Sequence, residues 1–296
     1  MQKLVPYLWF DKDAKGITDF YSNVFPGTKV KSNGVLSDTP SGDVEMAGIN
    51  ILGLEFSIIT AGPHYKFKPS ISFMVVCESV MELDSYWQKL IENGVALMEV
   101  SEYPFAKRFG WVQDKYQVHW QLIFREQDNA EVVTQKIIPA LMFSGESIGR
   151  AEEAMKFYVN TFRDSKVNAV EFYEPGENPE PKARVKHARF TIDGLQLAIS
   201  DGNGNFDFEQ AISFMVLCND QAEVDFFWNA LTADGGKEIQ CGWLTDKFGV
   251  PWQVVPSSFE KFMREGTTEQ IARVQKAFMS MKKFEIAVLE LAYNGE

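Results

Sequence analysis

From Leu4 to Phe10 the chain reads LVPYLWF, a run whose aromatic and β-branched content predicts a strand. The period then changes, because Ile17, Phe20, Tyr21, Val24 and Phe25 recur at helical spacing and give one apolar face. Three short strand-like stretches follow near 28–36, 44–52 and 54–60, with Gly53 as the turn between the last two. The order is βαβββ. ISFMVVC, from Ile71, starts that order again. Val80, Leu83, Trp87, Leu90 and Ile91 form the apolar face of the next helix, and further strands run to Phe124.

The second half of the chain repeats the first. GWVQDKYQVHWQLIF from Gly110 is answered by GWLTDKFGVPWQVVP from Gly242, which pairs Trp111 with Trp243, Asp114 with Asp246, Trp120 with Trp252 and Gln121 with Gln253. ISFMVVC is answered by ISFMVLC, FYSNVFPGTKV by FYVNTFRDSKV, and VPYLWF by IPALMF. The repeat is domain-sized, well above solenoid periods of roughly 20 to 50 residues, so each copy is expected to hold its own core. Ala151, Met155, Tyr158, Val159 and Phe162 mark the first helix of copy two. The expected fold class is α+β, with four βαβββ units in two tandem domains over 1–125 and 137–256. A polar linker, 126–136, joins them, and a helical tail covers 257–296. In that tail Ile271, Val274, Phe278 and Met281 are helically spaced behind the capping pair Thr267 and Gln270.

Charge and composition narrow the function. In a chain of 296 residues, 45% apolar and 24% charged, the 41 acids against 29 bases give a net charge of −12, which repels phosphate backbones and anionic lipid. Neither nucleic acid nor membrane is expected as a partner. The cysteines Cys77, Cys218 and Cys241 lack C-x-x-C spacing, which argues against a zinc site or disulfide framework and for a cytoplasmic setting.

Paired βαβββ units whose first helix ends in FY resemble the vicinal oxygen chelate superfamily of glyoxalase I, ring-cleaving dioxygenases and antibiotic-resistance proteins. Within it the chain is similar to the PhnB-like branch, often labelled 3-demethylubiquinone-9 3-methyltransferase. The residues that carry this are AGPHYKF (61–67), ISFMV in both copies, CGWLTDKFGVPWQVVP (241–256) and RVQKAFMSMKKFEIAVLELAY (273–293). The resemblance implies that each copy's eight strands curl around a cavity with the helices outside. Single-copy relatives dimerise, so this chain is expected to be an intramolecular pseudo-dimer, with a homodimer as the further option. S-adenosylmethionine chemistry is not expected, because no glycine-rich turn joins an early strand to a helix; Gly202-Asn203-Gly204 leads into a strand instead.

The resemblance also implies where a metal would sit: a His on the first strand of one unit, a His or Gln on the first strand of the next, and a Glu ending D-x-x-G-x-x-x-E. Asp246, Gly249 and Gln253 match that last spacing, as do Asp114 and Gln121 with Gln117 in place of the glycine, so glutamine replaces glutamate twice. Counting back from FY puts the first-strand position at Pro6 and Pro139, and the second-unit position near Ser70 and Ala211. Such side chains are poor donors for divalent ions, so no cofactor or metal is expected. A rearranged divalent-metal or acid–base site stays open through His64 and His119, the latter sharing a strand face with Gln121.

Other residues divide between cavity and scaffold. Trp9, Trp111, Gln121, Trp243 and Gln253 are the candidate ligand-binding residues, while Trp120 and Trp252 must face the helices if the glutamines face the cavity. Asp114 and Asp246 read as turn residues, the DGNGN stretch from Asp201 as a turn, and His187 as part of a solvated strand face with Arg189 and Thr191. The favoured function is binding of a small, partly apolar molecule in a concave cavity. The alternative is a lyase, isomerase or oxygenase using the His64/His119 site.

Overall fold

A computed structural model describes residues 2–39, 41–125 and 135–296. The chain is α+β. Its strands and helices follow four βαβββ units: β1 (Leu4–Phe10), α1 (Ala14–Val24), β2 (Lys29–Thr39), β3 (Gly42–Ile51) and β4 (Leu54–Thr60); β5 (Ile71–Val76), α2 (Val80–Leu90), β6 (Val95–Tyr103), β7 (Ala106–Gln113) and β8 (His119–Phe124); β9 (Ile137–Phe143), α3 (Ala151–Thr161), β10 (Lys166–Phe172), β11 (Val185–Ile192) and β12 (Leu195–Asp201); β13 (Ile212–Cys218), α4 (Gln221–Thr232), β14 (Lys237–Glu238), β15 (Trp243–Thr245) and β16 (Pro251–Pro256). The linker expected over 126–136 lies outside the described residues except at its end. There the Gln135 side chain donates to the Ile137 and Gln196 carbonyls at 2.7 and 2.8 Å.

The strands pair across the copies. One sheet runs β10-β11-β12-β9-β5-β8-β7-β6 and the other β14-β15-β16-β13-β1-β4-β3-β2, so each combines a unit of copy one with a unit of copy two. This differs from the expectation that each copy closes its own eight-stranded sheet. The reason lies in the repeat: the units share one apolar pattern, so sequence alone does not distinguish pairing within a copy from pairing between copies. The joining strands β5 and β9 are antiparallel, with Phe73 opposite Pro139 and Ser72 opposite Ala140.

Two compact units result, Met1–Val5 with Ser213–Glu296, and Pro6–Ile212. The larger holds the whole β5–β12 sheet. Its core lies under α1, α2 and α3, where Ile17, Tyr21, Val24, Leu83, Trp87, Met155 and Tyr158 are buried as their helical spacing requires. The smaller holds α4 over β15 and β16 and is completed by the tail. That tail is three helices rather than one: α5 (Ser257–Glu265), α6 (Thr268–Phe278) and α7 (Ile286–Asn294). Gly266 ends α5, and Thr267 starts α6 with the expected capping box, its hydroxyl accepting from the Gln270 amide while Gln270 Oε1 accepts from the Thr267 amide. The turn after α6 then bonds to the repeated motif: the Cys241 amide donates to the Met281 carbonyl at 2.8 Å and the Gly242 amide to the Lys282 carbonyl at 2.7 Å.

No helix among the described residues is long and apolar enough to cross a membrane.

Candidate functional site

Register decides which side chains face away from the helices. Trp120 is fully buried beneath α1, its ring 5.5 Å from Tyr21 and 5.0 Å from Phe25. Its register partners Phe73 and Val112 therefore lie on the helix-covered face. Alternate residues point the other way. Across the helix-free face Trp111 lies opposite Gln121, Gln121 beside Met74, and Met74 opposite Ile138. A neighbouring row runs Ser72, Ala140, Ala198, Arg189 over β5, β9, β12 and β11. Met74 and Val76 form an apolar floor, packing against Ile138, Ala140 and Ala198 on one side and against Phe109 and Ile123 on the other, the cluster that Trp111 also packs against.

Both glutamines are tied to a serine. Gln121 Nε2 donates to Ser72 Oγ at 2.8 Å, and in the smaller unit Gln253 Nε2 donates to Ser213 Oγ at 2.9 Å. Gln253 is buried and has Trp243 opposite it, the same pairing as Gln121 with Trp111. Ser72 and Ser213 are the second residue of ISFMV in each copy, so the signal that could have found them was the repeat itself.

Two of the positions inferred by counting are displaced. Pro139 is opposite Phe73 and so faces the helices, while its neighbour Ala140 is the residue on the helix-free face. Pro6 is buried next to half-buried Tyr7, and Tyr7 is in register with Ser57 on β4. A shift of one residue reverses the face, which makes counting along a strand sensitive to a single error. The hydroxyls tied to the glutamines are Ser72 and Ser213, two residues past Ser70 and Ala211 and so of the same strand parity. Hydroxyl, amide and methyl groups make a poor donor set for a divalent ion, so the superfamily's metal does not fit these residues. Among the described residues no three His, Cys, Asp or Glu side chains are grouped to hold one.

The histidines occupy three different settings. His64 is exposed in the loop before β5, its ring 6.2 Å from that of Trp9. Trp9 itself anchors that loop, donating from Nε1 to the Gly62 carbonyl at 2.9 Å and meeting Tyr65 edge-on at 5.2 Å. His119 is 2% exposed, and neither ring nitrogen has a hydrogen-bond partner. Burial lowers its pKa to about 4, with the Phe67 backbone acting weakly in the other direction. No hydrogen bond joins His64 to His119. The Trp111 Nε1 is also buried without a partner.

His187 does not lie on an open solvated surface. It is half-buried on the helix-free face with Arg189, because Ala188 and Phe190 are buried on the other side, where Phe190 stacks on Tyr158 of α3. Burial first, and then the charges of Arg125 and Arg189, lower its pKa to about 4 against the opposing pull of Glu171. Arg125 is shifted down by burial and by Arg189. It continues the alternation of His119, Gln121 and Ile123 one step past β8, a parity already present in the sequence.

The aspartates are structural. Asp114 Oδ1 accepts from the amides of Tyr116 and Val118, and Oδ2 accepts from Tyr21 OH and Trp120 Nε1, both at 2.9 Å. Asp246 repeats this with Phe248, Val250 and Trp252. Asp201 is fully buried and its carboxylate accepts from the amides of Gly149, Ala151, Arg184 and Val185, fixing the start of α3. A surface depression of about 380 Å³ beside Ile148, Pro179 and Asn203 contains none of the candidate side chains.

The family model for 3-demethylubiquinone-9 3-methyltransferase matches residues 2–123 and again 135–255. The chain belongs to this family. Each match covers one copy, so the 3-demethylubiquinone-9 3-methyltransferase pattern occurs here twice. A PhnB protein of that family from Bacillus cereus is 32% identical; the match covers 42% of this chain and 99% of that one, with a TM-score of 0.39. Glyoxalase I from Zea mays shares the fold over 88% of this chain and 94% of its own at 15% identity, with a TM-score of 0.60. A dioxygenase candidate from Bacillus subtilis strain 168 covers 97% and 94% at 11% identity, with a TM-score of 0.51. No curated protein matches by sequence.

Proposed function

We propose that this family member binds a small, partly apolar molecule on the helix-free face of the β5–β12 sheet, without a resident divalent ion. The observation that carries the reading is the Gln121–Ser72 pair, repeated as Gln253–Ser213. An amide and a hydroxyl bonded to each other offer a divalent ion weaker donors than the imidazole and carboxylate that the resemblance implies. The surroundings suit binding: an apolar floor, the Trp111 ring as a wall, and a few polar groups to orient a ligand. The unpartnered Trp111 Nε1 and His119 ring offer hydrogen bonds that a ligand or a water molecule would complete. A methyltransferase activity gains no support here, because the Gly202–Gly204 stretch follows a strand and leads to β13, with no helix start to receive a nucleotide-like cofactor. An acid–base enzyme using His64 with His119 would have to join an exposed loop ring to a buried one.

The test is metal analysis of untagged protein together with thermal shifts against small neutral aromatics such as benzyl alcohol. The expected result is substoichiometric metal and a ligand-dependent rise in melting temperature that Trp111→Ala abolishes. Stoichiometric zinc, iron, nickel or manganese would overturn the reading, as would a rise that survives Trp111→Ala unchanged.

A further inference from the structure

Two buried polar groups on the helix-free face of the β5–β12 sheet have no hydrogen-bond partner: the Trp111 indole N–H and the His119 ring. Strand register brings them together. Trp111 lies opposite Gln121 and Gln113 opposite His119, so His119 is the diagonal neighbour of Trp111 across the β7–β8 ladder, about 7–8 Å away by backbone spacing. Gln121 stands beside both, with its Nε2 already donating to Ser72. The second copy shows that the fold does not require this histidine. There the same ladder sets Trp243 opposite Gln253 and Thr245 opposite Pro251, and Gln253 again donates to a serine. Pro251 is buried and offers no ring nitrogen, yet β16 forms. His119 is therefore buried, and its hydrogen bonds to water given up, at a place where the strand packs equally well without a polar group.

The donors and acceptors define what would complete the pair. An indole offers one N–H and accepts nothing, whereas a neutral imidazole has one N–H and one lone pair. His119 is held neutral by burial, which lowers its pKa to about 4. The Phe67 backbone acts on the ring as an acceptor, so it engages only the N–H and leaves the lone pair open. A single hydroxyl group matches both neighbours, because its oxygen accepts from the indole and its hydrogen donates to the imidazole lone pair. Trp111, Gln121 and Met74 are half-buried, so the apolar surface around the two groups is partly open.

We propose that this face takes a small neutral aromatic alcohol of the phenol class, its ring resting on Met74 and its hydroxyl accepting from Trp111 Nε1 while donating to His119. This rests on the binding reading above and adds the polar group that the ligand must carry. An aromatic ether can accept from Trp111 but has no hydrogen for His119, and a hydrocarbon can do neither.

Phenol, anisole and toluene would be titrated into the full chain by ligand-observed NMR, with the histidine ring nitrogens of labelled protein followed in parallel. The expected order is phenol, anisole, toluene, each step about fivefold, the worth of one ordinary hydrogen bond. The unprotonated ring nitrogen of His119 should shift with phenol alone. Trp111→Phe keeps an aromatic wall and should weaken phenol and anisole by about fivefold while leaving toluene unchanged. His119→Phe should make phenol no better than anisole; where that variant fails to fold, the wild-type series and the nitrogen resonance decide the matter. If the three probes bind equally, the hydroxyl proposal falls while the binding face stands. If none binds, both fall together. A His119 nitrogen already hydrogen-bonded before any probe is added, and unmoved by phenol, would mean that a resident water completes the pair and would overturn the proposal.

Discussion

Replacing Asp114 by asparagine tests the closing turn of the repeated motif. Asparagine keeps Oδ1 for the Tyr116 and Val118 amides but puts an NH2 where Oδ2 accepts from Tyr21 OH and Trp120 Nε1. The tyrosine hydroxyl can rotate and accept instead. The indole N–H cannot, so one buried donor loses its partner at a cost of about 1–3 kcal/mol. The charge adds a pH dependence with a definite sign. Burial lifts Asp114 to about 6, against the pull of its four donors. A carboxyl raised from about 3.9 in the unfolded chain contributes stability that is fully present below that value and is lost as pH rises through about 6. Two pKa units correspond to roughly 3 kcal/mol at most. The substituted amide does not titrate, so the loss relative to wild type should widen as pH falls from 7 to 4. Urea unfolding followed by tryptophan fluorescence between those limits measures it, with Tyr21→Phe as a variant that removes one donor and keeps the carboxyl. A gap that narrows toward acid would mean the donors outweigh burial, and a loss under about 0.5 kcal/mol at every pH would refute the structural role altogether.

His119 carries the opposite sign: its pKa is lowered to about 4 from about 6.5, so its contribution is present above 6.5 and is lost as pH falls through 4. His119→Phe should therefore flatten the acid limb of the stability profile by up to roughly 3 kcal/mol, read from urea midpoints between pH 6.5 and 4. Gly242→Ala should cost the smaller unit about 2 kcal/mol or more in calorimetry, because Gly242 has φ +80 and an added Cβ would meet the Phe284 ring at 2.5 Å. Thr267→Ala should lower stability by about 1 kcal/mol by removing the α6 cap, and Thr267→Ser should restore it.

Much of the architecture is legible in local pattern. The helical spacing of Ile17, Tyr21 and Val24, the strand-like ISFMV, and the capping pair Thr267 and Gln270 each depend on residues near in sequence, and each forms as the pattern requires. What the pattern could not specify was partnership. β5 bonds to β8 of its own unit and to β9 of the other copy, and nothing in ISFMVV distinguishes that neighbour from an equivalent strand. The candidate site divides along the same line. Gln121 and Gln253 stand out because the motif repeats, whereas Ser72 and Ser213 become their hydrogen-bond partners only through strand register. The helical spacing behind Thr267 reports α6 alone: Gly266 separates it from α5, and the segment Met279–Glu285 separates it from α7.

The join between β5 and β9 also says what would happen if the gene were split between its two copies. A first half ending near Arg125 would expose the β5 edge from Ile71 to Val75, five residues of backbone that the intact chain pairs with β9. Open edges of that kind recruit strands. The two halves, expressed together, should find each other and rebuild the sheet as a non-covalent heterodimer. A lone half should instead pair with a second copy of itself, offering the same apolar strands to the same gap.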